Sequence, residues 1–149
     1  MYKFILVPLD GSKRAEKILP HVEELARCMG SMIIIMQVLE PQMSFSGLEV
    51  NQQAAAFEAY KKELRTTEEY VNELQANFHA KGFHCQARVE YGSIVSTIIR
   101  VSQQANVDLI AMASHGRTGL QRVFYGSVAA GVLNRTDRPL LLIRSAEED

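Results

Sequence analysis

Asp108–Ser127 reads DLIAMASHGRTGLQRVFYGS. The run at its start, Val107–Ala113 (VDLIAMA), is apolar almost throughout, as expected of a strand buried on both faces in a parallel sheet. It breaks into a loop carrying Gly116, Gly119 and Gly126, and Val128–Leu133 then reads as a short helix. Strand, glycine loop and helix start together are the working half of a βαβ unit. They put backbone amides and the positive end of a helix at the carboxyl end of a strand. That is the physical recipe for holding a phosphate chain.

The same alternation extends outward in both directions. Lys3–Leu9 (KFILVPL), Ser31–Leu39 (SMIIIMQVL) and Pro139–Arg144 (PLLLIR) are further apolar runs, and Phe83–Glu90 (FHCQARVE) is weaker and partly alternating, as suits an edge strand. Between them the period changes. Ala15, Ile18, Leu19, Val22, Leu25, Ala26 and Met29 recur at three-and-four spacing, and Gly30 follows as a C-terminal stop. Phe57, Leu64, Val71, Leu74 and Phe78 mark a longer helix ending near Gly82, and Ile94, Val95, Ile98, Ile99 and Val101 mark another. The predicted order is β-α-β-α-β-α-β-α-β, an open parallel α/β sheet with right-handed crossovers. Glu40–Gln53 (EPQMSFSGLEVNQQ) lacks periodicity and reads as a long loop. Met43, Phe45 and Leu48 in it either cover an apolar ligand or pack on the next helix.

A chain of 149 residues suits one domain spanning residues 1–149. Its net charge of −1 supplies no global field towards nucleic acid or an anionic membrane. No apolar run reaches the ~18 residues that span a bilayer. Cys28 and Cys85 form no CxxC pair and no His/Cys cluster suggests a metal, so they read as free thiols of a reducing compartment. Cytoplasmic localisation is the simplest expectation. His21, His79 and His84 are expected to face solvent, and Ala146–Asp149 to be a frayed tail.

In a doubly wound sheet, ligands sit beyond the carboxyl ends of the strands, where the winding reverses. If strand 1 lies beside strand 4, the loops Pro8–Ser12 (PLDGS) and Ala113–Ser127 meet there. Gly116 and Gly119 permit close backbone approach. Ser127 is placed to be the N-cap of the helix behind it, and His115, Arg117 and Arg122 supply charge-assisted contacts. The same glycines also suit plain turns. Asp10, next to Leu9 at the end of strand 1, either accepts a hydrogen bond from a ligand or closes an Asx-turn with Gly11. There is no GxxxxGK[ST], no GxSxG elbow and no pair of carboxylates on neighbouring strand ends. A phosphate cradle without an evident base or nucleophile favours binding, or at most slow hydrolysis.

KFILVPLDGS, MQVLEP, DLIAMASHGRTGLQRVFYGSVAAGVL and NRTDRPLLLIR resemble the universal stress protein family, in the family's order and over essentially the whole chain. The nucleotide-binding branch carries Gly, two residues, Gly, nine residues, then Gly-Ser or Gly-Thr. Gly116 occupies the second position and Gly126-Ser127 the last, but Ala113 stands where the first glycine belongs. The extra methyl group should weaken or shift binding on the ribose side, and more severely if that position needs a positive φ.

The resemblance implies a single-domain, Rossmann-like sheet of order 3-2-1-4-5 with helices on both faces, akin to the adenine nucleotide alpha hydrolases. It implies ATP, or AMP or ADP, between the loops after strands 1 and 4, with Mg²⁺ or Mn²⁺ on the phosphates. Pro8 and Asp10 would border the adenosine and Val38 would meet the adenine edge through its backbone. Met112 to Gly116 would pass the ribose and first phosphate. Arg117, Gly126, Ser127 and Val128 would hold the phosphates. It implies a homodimer through Pro139–Arg144, an apolar edge strand that needs covering, and an unknown regulatory protein partner. Two other functions fit the pattern. One is a nucleotide-free interaction module of the same fold, which Ala113 favours. The other is an ATP-pyrophosphatase-like adenylating enzyme, disfavoured because LDGSKRAEK replaces its SGGxDS loop.

Overall fold

The computed structural model describes residues 1–41, 47–114 and 126–145. Five strands, β1 (Phe4–Leu9), β2 (Met32–Leu39), β3 (His84–Tyr91), β4 (Leu109–Ala113) and β5 (Leu140–Ile143), form one sheet of order β3-β2-β1-β4-β5. Every neighbouring pair is parallel. The chain moves outward from β1 to β3, then crosses to β4 on the other side of β1. That reversal opens a crevice above the carboxyl ends of β1 and β4.

Helices cover both faces. On one face a 3-10 turn (Ala15–Ile18), α1 (Leu19–Met29) and α2 (Val50–Ala80) bury Ile18, Val22, Val71 and Phe78 against Ile5, Val7, Ile33 and Ile35. On the other, α3 (Ile94–Gln104) and α4 (Ser127–Arg135) bury Ile98, Val101, Ala129 and Val132 against Leu6, Ile34, Met36, Ile110 and Met112. The strands read as unbroken apolar runs because their alternate residues feed two cores rather than one core and solvent.

The structure differs from the sequence reading in three places. The first helix opens as a 3-10 turn, and Met29 is exposed rather than inward. Gly30 does close α1, with φ 66° and its N–H bonded to the Ala26 carbonyl at 2.8 Å. The loop predicted over 40–53 is shorter, because α2 begins at Val50. A capping box sets that start: Glu49 and Gln52 satisfy each other's backbone amides, a signal the apolar period did not carry. Met43 and Phe45 lie outside the described residues; Leu48 is exposed.

His21, His79 and His84 are exposed, and His79 reaches the Cys85 carbonyl at 2.8 Å. Both cysteines are free thiols, Cys28 exposed and Cys85 buried in β3. Burial pushes the Cys85 thiol up to about 11, against a smaller opposing pull from a backbone hydrogen bond at Ile35. Iodoacetamide at pH 8 is therefore expected to alkylate Cys28 alone in the folded chain and both thiols in guanidinium. Mass spectrometry showing two adducts on the native protein would refute the burial of Cys85.

Candidate functional site

The loop after β1 folds on itself. Asp10 Oδ1 accepts hydrogen bonds from the Ser12 N–H at 2.9 Å and the Ser12 hydroxyl at 2.6 Å. Ser12 Oγ in turn accepts from the Ala15 N–H at 3.1 Å, which ties the turn to the helix behind it. Gly11 sits at φ +83°, the left-handed conformation that this tight turn needs. The Asx-turn reading of Asp10 therefore holds. Behind it the Tyr70 phenol is held above its ordinary range, by burial first, then by the Glu16 carboxylate and by Asp10. It stays a neutral hydroxyl at physiological pH.

Opposite, β4 ends at Ala113, paired with Ile143 and 9% exposed. Among the described non-glycine residues a positive φ occurs at Asn106 alone, so Ala113 sits in ordinary strand backbone. The alanine thus brings the volume of one methyl group and no backbone strain. Ser114 follows. Its N–H donates to the Ile143 carbonyl at 2.7 Å and its carbonyl accepts from the Gly126 N–H, while its buried hydroxyl has no partner among the described residues.

Gly126, not Ser127, is the N-cap of α4, with φ −61° and ψ 157°. The expected Ser127 cap is corrected: Ser127 is the first helical residue, and among the described residues no side chain caps this terminus. The first backbone bond of the helix runs from the Ala130 N–H to the Gly126 carbonyl at 2.9 Å. The amides of Ser127, Val128 and Ala129 precede that bond, at the positive end of the helix.

These parts surround one cavity of about 620 Å³ above the carboxyl ends of the strands. Pro8, Leu9, Asp10, Val38, Met112, Ala113, Gly126, Ser127 and Val128 all line it. His115, Gly116, Arg117, Gly119 and Arg122 lie outside the described residues. Val38 has a telling backbone position. The β1–β2 register ends at Leu9↔Gln37, whereas β2 runs on beside β3 to Leu39↔Tyr91. The Leu39 carbonyl points to the β3 side, where it accepts from the Gly92 N–H at 3.1 Å. By strand alternation Val38 directs its N–H and C=O to the β1 side, where β1 has ended.

Ser114, inside the Met112–Gly116 stretch that the resemblance set along the ribose, lines the cavity too, and other lining residues were not expected from sequence: Gln37, Glu40, Glu63 and Ile98 among them. Gln37 had a signal, being the one polar side chain in MIIIMQVL. A Cβ on Gly11 would lie 3.8 Å from both ends of its amide, and its Oε1 is buried without a partner. Glu63 had none, because it arrives from α2, far away in sequence. The cavity therefore has a positive end at α4, carboxylates from Asp10, Glu40 and Glu63, and apolar walls between them. Two buried polar atoms, Gln37 Oε1 and Ser114 Oγ, lack partners among the described residues.

An open parallel sheet with its crevice at the strand reversal defines the class: a single-domain Rossmann-like α/β protein. The universal stress protein family model matches residues 1–144, and the chain belongs to that family. It is 28% identical over 160 residues to universal stress protein MJ0577 of Methanocaldococcus jannaschii, covering 97% of this chain and 96% of that one. The solved structure of MJ0577 superposes with a TM-score of 0.77 over 99% of both chains at 27% identity. UspA from Lactobacillus plantarum gives 0.81 at 20% identity over 96% of this chain and 98% of its own. A universal stress protein from Archaeoglobus fulgidus, solved in complex with dAMP, gives 0.63 at 16% identity over 96% and 98%. Among the described residues no helix is long and apolar enough to cross a membrane.

Proposed function

We propose that this chain is a cytoplasmic regulatory protein that binds an adenine nucleotide, with ATP hydrolysis slow at most. The observation that carries the reading is the uncapped N-terminus of α4 sharing a cavity with the unpartnered Ser114 hydroxyl. A buried hydroxyl without a partner costs about 1–3 kcal/mol. A phosphate oxygen would satisfy it together with the first-turn amides of Ser127 and Val128. Gly126 lets the phosphates approach, and His115, Gly116, Arg117 and Gly119 belong to the same proposed phosphate loop.

The other end of the nucleotide fits the rest of the cavity. Val38 offers main-chain groups to a base edge on the side that β1 vacates, with Pro8, Leu9 and Asp10 along the adenosine. Met112 and Ala113 flank the ribose. The dAMP bound by the Archaeoglobus fulgidus relative agrees with a ligand of this class. Mg²⁺ or Mn²⁺ would ride on the phosphates, neutralising their charge beside Asp10, Glu40 and Glu63. β5 is a short, half-buried apolar strand at the sheet edge, which supports a homodimer through Pro139–Arg144. A regulatory partner protein would then read the nucleotide state.

Titration calorimetry with ATP and AMP tests the assignment. Binding with a dissociation constant in the micromolar range is expected for both. No heat at millimolar nucleotide, with the protein folded by circular dichroism, would leave the nucleotide-free interaction module as the function.

A further inference from the structure

β2 is apolar from Met32 to Leu39 except at Gln37. The Gln37 backbone is in register with Leu9, the last residue of β1, and with Val89 of β3, so the sheet makes no use of its side chain. By strand alternation that side chain lies on the face of Ile33 and Ile35, which are fully buried under α1 and α2. Gln37 instead lines the cavity. Its amide stands against the turn after β1, since a Cβ on Gly11 would be 3.8 Å from Oε1 and from Nε2 alike. Oε1 is buried and has no hydrogen-bond partner among the described residues.

A buried acceptor without a donor destabilises a fold, whereas an apolar side chain of the same volume would not. Departures of this kind are kept where function uses them. The polar groups that share the cavity wall with Gln37 narrow what could satisfy it. Asp10, Glu40 and Glu63 bring carboxylates, so a group entering among them must donate. An adenine nucleoside carries two sets of donors, the ribose hydroxyls and the exocyclic amine. The ribose is assigned to Met112 and Ala113 on β4, and β1 separates β4 from β2. Two strand spacings put Gln37 about 10 Å from that strand. The amine is the donor on the β2 side, next to the main chain of Val38.

We infer that Gln37 is the specificity-determining residue of the nucleotide site: its amide oxygen accepts a hydrogen bond from the 6-amino group of the base and selects 6-aminopurine over 6-oxopurine nucleotides. The inference rests on the adenine-nucleotide reading and adds to it a side chain that reads the base. The Val38 carbonyl takes one of the two amine hydrogens, and Gln37 takes the other. Both orientations of the terminal amide fill the same space beside Gly11, so the oxygen turns to the ligand without moving the strand. Nε2 is then left to the carboxylate-bearing wall, which accepts. A 6-oxo group sets oxygen against oxygen. Turning the amide to offer it Nε2 leaves Oε1 on that wall, again acceptor against acceptor.

Titration calorimetry with ATP and ITP, on the wild-type chain and on Gln37→Met, tests it. Methionine keeps roughly the length and volume of the side chain and removes the acceptor. The wild type is expected to bind ATP more than about tenfold tighter than ITP. In the variant the affinity for ATP should fall about tenfold while that for ITP holds, so the ratio narrows by the same factor. Its melting temperature should hold or rise, because an unpartnered buried acceptor has gone; a residue kept for the fold would lower it. Gln37→Glu, whose carboxylate only accepts, should keep the preference for ATP. Equal losses for both nucleotides, or an unchanged ratio, overturn the inference and leave the adenine-nucleotide reading in place. A folded wild type that binds neither at millimolar concentration removes that reading, and the inference with it.

Discussion

Ser127→Pro should lower adenine-nucleotide affinity roughly 100-fold while leaving the fold intact. Ser127 is the first residue of α4, where proline is favoured because its N–H makes no intrahelical bond. Gly126 before it, at φ −61° and ψ 157°, already has the extended backbone that a residue preceding proline requires. The side chain of Ser127 is exposed, so no packing is lost. What disappears is one amide and one hydroxyl at the rim of the cavity, where the proposed phosphate would sit. Charge-assisted hydrogen bonds contribute about 1.5–3 kcal/mol each, so losing them in an imperfectly dry site is worth roughly two orders of magnitude. Calorimetry with ATP reads the affinity, and circular dichroism reads the helix. Unchanged affinity with native helicity would mean that the α4 terminus does not hold the ligand.

Ile35→Ala should destabilise the chain by about 2–5 kcal/mol. Ile35 is fully buried in β2, in register with Val7 of β1 and Ala87 of β3, under α1 and α2. Strands on two sides and helices above leave little freedom for the site to collapse around the missing carbons, so the cavity persists. For a domain of this size the melting temperature should fall by roughly 10 °C. Glu24→Ala is the contrast. Its 2.6 Å ion pair with Arg27 is exposed, and removing such a pair changes stability by about 1 kcal/mol or less. Differential scanning fluorimetry of the two variants checks both. Equal melting points would contradict the buried position of Ile35.

The strands and helices were legible because their signals are local. Apolar runs separated by amphipathic periods predict the order of the elements, and the resemblance predicts the 3-2-1-4-5 sheet that the structure has. Errors fell at element ends, where hydrogen-bond geometry outweighs hydrophobic period. The Glu49–Gln52 capping box starts α2 earlier than the apolar pattern suggests. The extended backbone of Gly126 takes the capping position expected for Ser127. Pro8, Leu9, Asp10 and Ala113 could be picked out because they stand where strands give way to loops, and strand ends meet at the reversal; Val38 and Met112 came only from the family resemblance. Glu63 could not, because nothing near it in sequence says that α2 passes the cavity.

The sequence by itself determined the alternation of strand and helix, the glycine-bearing connection after β4 and the apolar stripe of α2 through Phe57, Leu64, Val71, Leu74 and Phe78. All three are set by neighbours a few residues apart. Tertiary structure alone decided the rest. It closed Asp10 into its turn, placed Ala113 in unstrained backbone, and left the hydroxyl of Ser114 and the amide oxygen of Gln37 without partners among the described residues. It also ended the sheet partway along α2, so that one stripe is core at Val71 and surface at Phe57. The physical reason is common to all of these. Burial and hydrogen-bond partnership depend on which atoms arrive from distant parts of the chain, whereas periodicity depends only on the order of residues along it.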